Sequence, residues 1–238
     1  MSPLDFAIAT LVIAFGAAVQ GGVGFGINVI AAPILAVLDP DLVPGPGLAV
    51  GLVLTSLVAF RDRASLDRRG LEFTIAGRVP GTIVGAVFLS SIPKSAVTIV
   101  VGCAVLVAVV LNLLRLSLRP TPGTLVTVGV ISGFASTVSS VGGPPTAVVY
   151  ANEPPPVARA TLAFIFMIGS TMSLIALSLI GKYGVDEIRS TLLLMGPAVL
   201  GYFVSKPLAA RIDEGSARHY ILVVATLGAV SALLKELL

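Results

Sequence analysis

The sequence predicts an all-α integral membrane protein made of two inverted repeats. Each repeat is a broken or re-entrant helical hairpin followed by three transmembrane helices, about seven to eight spans in the usual counting. Three observations carry this prediction. The 238 residues are 56% hydrophobic and only 11% charged, against about 25% charged residues in an ordinary soluble domain. Apolar runs of helical length alternate with short polar turns along the whole chain. Two glycine-rich breaks, Gln20-Gly-Gly-Val-Gly-Phe-Gly-Ile-Asn28 running on to Pro33, and Ser139-Ser-Val-Gly-Gly-Pro-Pro-Thr-Ala-Val-Val-Tyr150, lie roughly half the chain apart. Helical backbone does not continue comfortably through such glycine and proline density.

In chain order, the first apolar run covers residues 3–19 and ends at the Gln20–Gly26 break. A shorter run, Ile27–Leu38, ends at Asp39-Pro40-Asp41. Each run alone is short for a crossing and the two together are long for one, so a dipping hairpin fits best. Crossings follow at 47–60, closed by Arg61-Asp62-Arg63, at 71–91 with Arg78 inside, and at 95–114, closed by Arg115, Arg119, Pro120 and Pro122. The second half repeats the order. A run at 124–138 meets the Ser139–Pro145 break, and a short run reaches Tyr150. Asn152-Glu153-Pro154-Pro155-Pro156 matches the Asp39 loop, and crossings follow at 157–180, 188–205 and 216–234. A slide of about 118 residues superposes Val23-Gly24 on Val141-Gly142, the weak echo expected of an old duplication. The repeats are residues 1–119 and 120–238, together one membrane domain.

Charge supports the inverted arrangement. A hairpin plus three crossings per half places Arg61, Arg63, Arg68, Arg69, Arg115, Arg119, Arg159, Lys206, Arg211 and Arg218 on one side. Asp39, Asp41, Lys94, Lys182 and Asp186 fall on the other. The positive-inside rule makes the basic side cytoplasmic. If both hairpins cross fully, the Arg61 loop and the Arg115 linker stay together but the halves are related differently. The formal charge of +3 carries little information about nucleic acid, because the arginines sit in short loops and not in one stripe, and no nucleic-acid partner is expected. Cys103, the single cysteine, lies in an apolar run and reads as a buried packing residue. No basic n-region of a secretory signal stands at Met1-Ser-Pro-Leu-Asp5.

In lipid, a broken backbone is tolerated only where protein or a water-filled cavity satisfies its polar groups, and paired breaks point to a transporter's binding site. A half-helix starting at such a break presents free N–H groups and a positive dipole end, which suits an anion. The expected substrate-binding residues are Gln20, Gly24, Phe25, Gly26 and Asn28 from the first break, and Ser136, Ser139, Ser140, Gly142, Gly143 and Thr146 from the second. Pro144 and Pro145 suit a first helical turn. Arg78 has two readings: countercharge to a bound anion, or a side chain snorkelling to the interface. For the glycines the bland alternative is close helix packing. Lys206 at a helix end reads as snorkelling, Tyr150 and Tyr202 as interfacial or packing residues, and His219 as a solvated loop residue with a proton-carrying role left open.

At these breaks the chain resembles the TauE/SafE sulfite exporter family, also called the toluene-sulfonate uptake permease family. The matching positions are Gln20, Gly22, Gly24, Gly26 and Pro33, then Gly133, Ser136, Gly142, Gly143, Pro144 and Tyr150. The doubled proline Pro144-Pro145 is a mild departure. The resemblance implies secondary transport of small sulfur-containing anions, such as sulfite, sulfoacetate or other organosulfonates, in a multi-pass protein of a bacterial inner membrane. Export is the direction the inside-negative potential favours, by about 2.3 kcal/mol per charge per 100 mV. Proton coupling, uniport and homodimer formation all stay open, and no cofactor is expected.

Two rival classes remain. An intramembrane serine protease needs a histidine at depth, a metalloenzyme needs clustered ligands, and the crossings supply neither. The enzyme alternative is therefore one acting on a lipid phosphate, although neither break holds an Asp, Glu or His. An anion channel with half-helix filters is the other alternative.

Overall fold

The structure, a computed structural model, describes residues 2–23, 27–114, 116–209 and 214–237, apart from the side chains of 21–23, 204–209, 214–221 and 236–237. Gly24, Phe25, Gly26, Arg115 and Arg211, and the side chains of Lys206, Arg218 and His219, therefore lie outside the described residues. Among the described residues there are ten α-helices and no strand. The first half contributes α1 (Pro3–Val23), α2 (Ile27–Leu38), α3 (Gly45–Asp62), α4 (Arg68–Ser91) and α5 (Lys94–Leu113). The second contributes α6 (Pro122–Ser139), α7 (Gly143–Val149), α8 (Pro155–Leu179), α9 (Val185–Ala209) and α10 (Glu214–Leu237).

Helix starts follow local capping chemistry. Asp67 accepts the Gly70 N–H (3.0 Å) at the head of α4. Thr121 and Thr124 exchange bonds in a capping box at the head of α6. Among the described residues six helices, α1, α3, α4, α5, α6 and α8, are long and apolar enough to cross a membrane. α1 departs from the sequence expectation. It continues through Gln20-Gly-Gly-Val23 and reaches 21 residues, so its length alone suffices for a crossing. α6, at 18 residues, also has crossing length. Glycine lowers helix propensity by only about 1 kcal/mol per residue, so two glycines near a helix end do not by themselves stop it. The second arms are the short ones, at 12 and 7 residues.

Helix partners are exchanged between the halves. α4 packs most extensively on α6 and α1 on α9, while α3 lies against α8 and α5 against α10. Glycine sets the closest of these approaches. A Cβ built at Gly77 would stand 2.1 Å from the Val126 carbonyl oxygen, and one at Gly81 2.1 Å from that of Val130. From the opposite side, Gly129 and Gly133 face the carbonyls of Thr74 and Arg78. Two small-xxx-small stripes therefore bring these backbones into contact, where dispersion between main chains replaces side-chain packing.

The outer surface is apolar, with Ile83, Val84 and Val87 on α4 and Leu192 and Leu200 on α9 facing outward. Cys103 is part of this surface. It is exposed on α5, not buried as its apolar neighbours suggested, because a lipid-facing stripe has the same composition as a core. Tyr150 and Tyr202 are buried packing residues. They hold one end of the bundle, Tyr150 towards Asp67 and Tyr202 towards Arg61 (both 3.5 Å). At the same end Asp62 pairs with Arg61 (2.9 Å) and Arg159 (2.5 Å). Lys94 pairs with Asp41 (2.9 Å) between the other loops.

Gly81→Ala is expected to lower stability by about 1–3 kcal/mol through overpacking. Gly196→Ala, where nothing lies within 4 Å of the added carbon, is expected to be neutral or slightly stabilising. Detergent-solubilised thermal melts of the two variants check this.

Candidate anion site at the paired helix breaks

Both breaks open onto one cavity of about 50 Å³. Gln20, Ile27, Asn28 and Val29 line it from the first, and Ser136, Ser140, Val141, Gly142 and Gly143 from the second. α3 closes it with Gly51 and Thr55, and α8 with Phe166 and Ser170. These last four residues lie near the middles of their helices, so the ends of α1 and α6 are at mid-length of the bundle.

Local bonds hold each break in shape. Across the first, Gln20 Oε1 accepts the N–H of Ile27 (3.2 Å), capping α2 from the end of α1. This fixes the amide's orientation and leaves Nε2 buried without a partner among the described residues. Asn28 lies against α3, where a Cβ at Gly51 would meet its Nδ2 at 3.1 Å. One turn earlier on α3, a Cβ at Gly47 would meet both Asn28 Oδ1 (3.5 Å) and Ser140 Oγ (3.4 Å). The two breaks thus converge on the same stretch of α3.

Across the second break, Ser140 ends α6 in the left-handed region (φ 59°). Its hydroxyl donates to the Ser139 carbonyl (2.6 Å), and Ser139 donates to the Ala135 carbonyl (2.7 Å) while accepting the Val141 N–H (3.3 Å). Thr146 donates to Gly143 (2.8 Å) and Thr55 to Gly51 (2.9 Å). Those hydroxyl protons are engaged in holding the backbone. Among the described residues the hydroxyls of Ser136 and Ser170 and the free Nε2 of Gln20 remain as donors towards the cavity, and Asn28 Oδ1 is a buried acceptor without a partner. No ionisable side chain among the described residues lines the cavity.

Arg78 is completely buried and does not snorkel. Its Nη1 donates to Ser132 Oγ (2.6 Å), which donates in turn to the carbonyl of Gly142 (2.6 Å) on the cavity wall. The guanidinium packs on Gly169 of α8, where an added Cβ would stand 2.1 Å from Nε. Arg78 therefore sits one residue behind the lining.

Of the residues expected from sequence, Gln20, Asn28, Ser136, Ser140, Gly142 and Gly143 line the cavity. Ser139, Thr146 and Arg78 are buried beside it, and Gly24, Phe25 and Gly26 lie outside the described residues. Sequence reasoning missed Gly51, Thr55, Ser132, Phe166 and Ser170. A signal was present, since Gly51-x-x-x-Thr55 and Phe166-x-x-x-Ser170 occupy corresponding turns of the third element in each half.

Six helices long and apolar enough to cross a membrane, packed around a small cavity at mid-length of the bundle, define a multi-pass membrane protein. The chain belongs to the sulfite exporter TauE/SafE family, whose model matches residues 9–233. No curated protein and no solved structure matches it. Family membership implies a membrane transporter of the sulfite or anion exporter type, consistent with a non-enzymatic role.

Gly51→Ala is expected to leave the protein folded but push Asn28 into the cavity, weakening anion binding about tenfold through lost hydrogen-bond geometry. Comparison of its anion affinity and melting temperature with those of the parent checks this.

Proposed function

We propose that the protein is a secondary transporter of small sulfur-containing anions, sulfite or organosulfonates. It holds the anion between the two helix breaks and exports it by alternating access across a bacterial inner membrane. The observation that carries the reading is the convergence of both breaks on one donor-lined cavity. An oxyanion accepts hydrogen bonds, and three free groups at this cavity, Gln20 Nε2 and the hydroxyls of Ser136 and Ser170, can donate them. Donors fixed by a rigid backbone replace the anion's hydration shell without having to reorganise.

Alternating access rests on reading residues 1–119 and 120–238 as inverted repeats with re-entrant hairpins. Four contacts support it. Leu118, before α6, donates to the carbonyl of Val148 at the end of α7 (3.1 Å), so the second hairpin starts and finishes at one end. Tyr150 on Asp67 and Arg159 on Asp62 tie that end to the basic loop. Lys235, near the end of α10, donates to the carbonyl of Val37 at the end of α2 (2.6 Å). The first hairpin thus returns beside the end of α10, opposite the end to which the second returns. The exchanged partners α1–α9 and α4–α6 are those that a two-fold pseudosymmetry requires. Rocking of the hairpins against the other helices then opens the cavity to each side in turn.

Thermal stabilisation of the purified protein tests the reading, with sulfite, sulfate, thiosulfate, sulfoacetate, an aryl sulfonate, phosphate and chloride as ligands. A ligand at 100 times its Kd adds about 2.7 kcal/mol to the folded state. We expect sulfite or a sulfonate to raise the melting temperature, and the Gln20→Ala, Ser136→Ala double variant to lose the rise. An equal rise in the double variant would put the anion elsewhere. No rise with any sulfur anion would point to another substrate class.

A further inference from the structure

Among the described residues the buried Arg78 has no acidic partner. Among the described residues, its only side-chain hydrogen bond is to the Ser132 hydroxyl, and Nε and Nη2 have none. The faces around it offer Ser132 and the backbone of Gly129 and Gly133 from α6, and Gly169 from α8. No carboxylate is among them, and Arg78 is the one charged side chain among the described buried residues. Arginine keeps its proton in proteins, so an uncompensated positive charge stands in the bundle interior. It is separated from the cavity by one hydroxyl and one peptide group, through the chain Arg78–Ser132–Gly142. On the α8 side its contact, Gly169, adjoins the lining residue Ser170.

We propose that this single fixed charge makes the site selective for singly charged SO₃-type oxyanions, hydrogensulfite or the head of an organosulfonate, over dianions with the same oxygens. The inference rests on the anion-site reading above and adds to it a rule about charge number. The cavity lining is neutral, so the region around the site carries one positive charge when empty. A monoanion brings the total to zero. A dianion leaves one uncompensated negative charge in a medium of low dielectric, and its own desolvation cost grows with the square of its charge. The neutral loaded state is also the cheapest to occlude while the hairpins move. Because Arg78 acts through the wall, its guanidinium confers charge preference without contacting the ligand. Packing on Gly169 keeps it from swinging into the cavity.

Isothermal titration of the detergent-purified protein decides this, with methanesulfonate, hydrogensulfite at mildly acidic pH, and sulfate as ligands. The parent protein should bind at least one monoanion roughly tenfold or more tighter than sulfate. Methanesulfonate binding would extend the site to sulfonate heads, and hydrogensulfite binding alone would restrict it to the inorganic ion. Arg78→Lys keeps the charge and should keep the preference. Arg78→Gln should weaken monoanion binding about tenfold and erase most of the preference. If Arg78→Gln fails to fold, the parent and Arg78→Lys titrations still decide. Sulfate bound as tightly as methanesulfonate, with both weakened by Gln20→Ala, would leave the anion site standing and overturn the charge rule. So would an unchanged preference in folded Arg78→Gln. No binding of either monoanion to the parent would overturn the site reading and the charge rule together.

Discussion

Hydrocarbon offers no partner to a free N–H or C=O, so a helix broken at mid-depth survives only if protein groups close the gap. The organisation of this chain follows from that constraint at two points. In the first half a side-chain amide bridges the gap, Gln20 Oε1 to the N–H of Ile27. In the second half hydroxyls do the same work, Ser139 towards Val141 and Ser132 towards Gly142. Once the backbone is satisfied in this way, what is left over is directed inward. Gln20 Nε2 and the hydroxyls of Ser136 and Ser170 are the surplus, and they face the cavity. Gln20 thus both closes a break and offers a group to a ligand, while Ser170 reaches the cavity from α8.

The packing around the breaks serves that arrangement. Gly77 and Gly81 against Gly129 and Gly133 draw α4 onto α6 until backbones touch. That closeness lets Arg78 reach Ser132 from the neighbouring helix. A wider helix pair would leave the guanidinium without even this bond, and a buried charge without partners is strongly destabilising. α3 and α8 meet at the middle of the bundle and supply the remaining walls, with glycine at 51 and 47 making room for Asn28 and Ser140.

Much of the architecture was legible in the sequence because lipid imposes a simple code. The run Ile27–Leu38 is α2 to the residue, and the other helices start and end within a few residues of the apolar runs. The length of α1 was not legible. Glycines at 21 and 22 looked like a stop, whereas a packed helix carries them through to Val23. Cys103 was misread because an apolar neighbourhood describes a lipid-facing stripe as well as a core. In the site, the break residues announced themselves through glycine and proline clustered at two positions about half the chain apart. Thr55, Ser132 and Ser170 did not, since single hydroxyls in a transmembrane helix usually bond to their own backbone. Only the fold shows which of them face a cavity. Arg78 stood out as a charge at depth, but its place behind the wall depends on the α4–α6 contact, which local sequence does not specify.

Accessibility of the cavity from both faces of the membrane tests the account most directly. With Cys103 replaced by serine, a single cysteine at position 136 is probed in sealed vesicles of each orientation with a membrane-impermeant maleimide. Labelling from both sides is expected, slowed from both by methanesulfonate. Labelling from one side only, with no protection by the anion, would contradict a site alternately exposed between the two breaks.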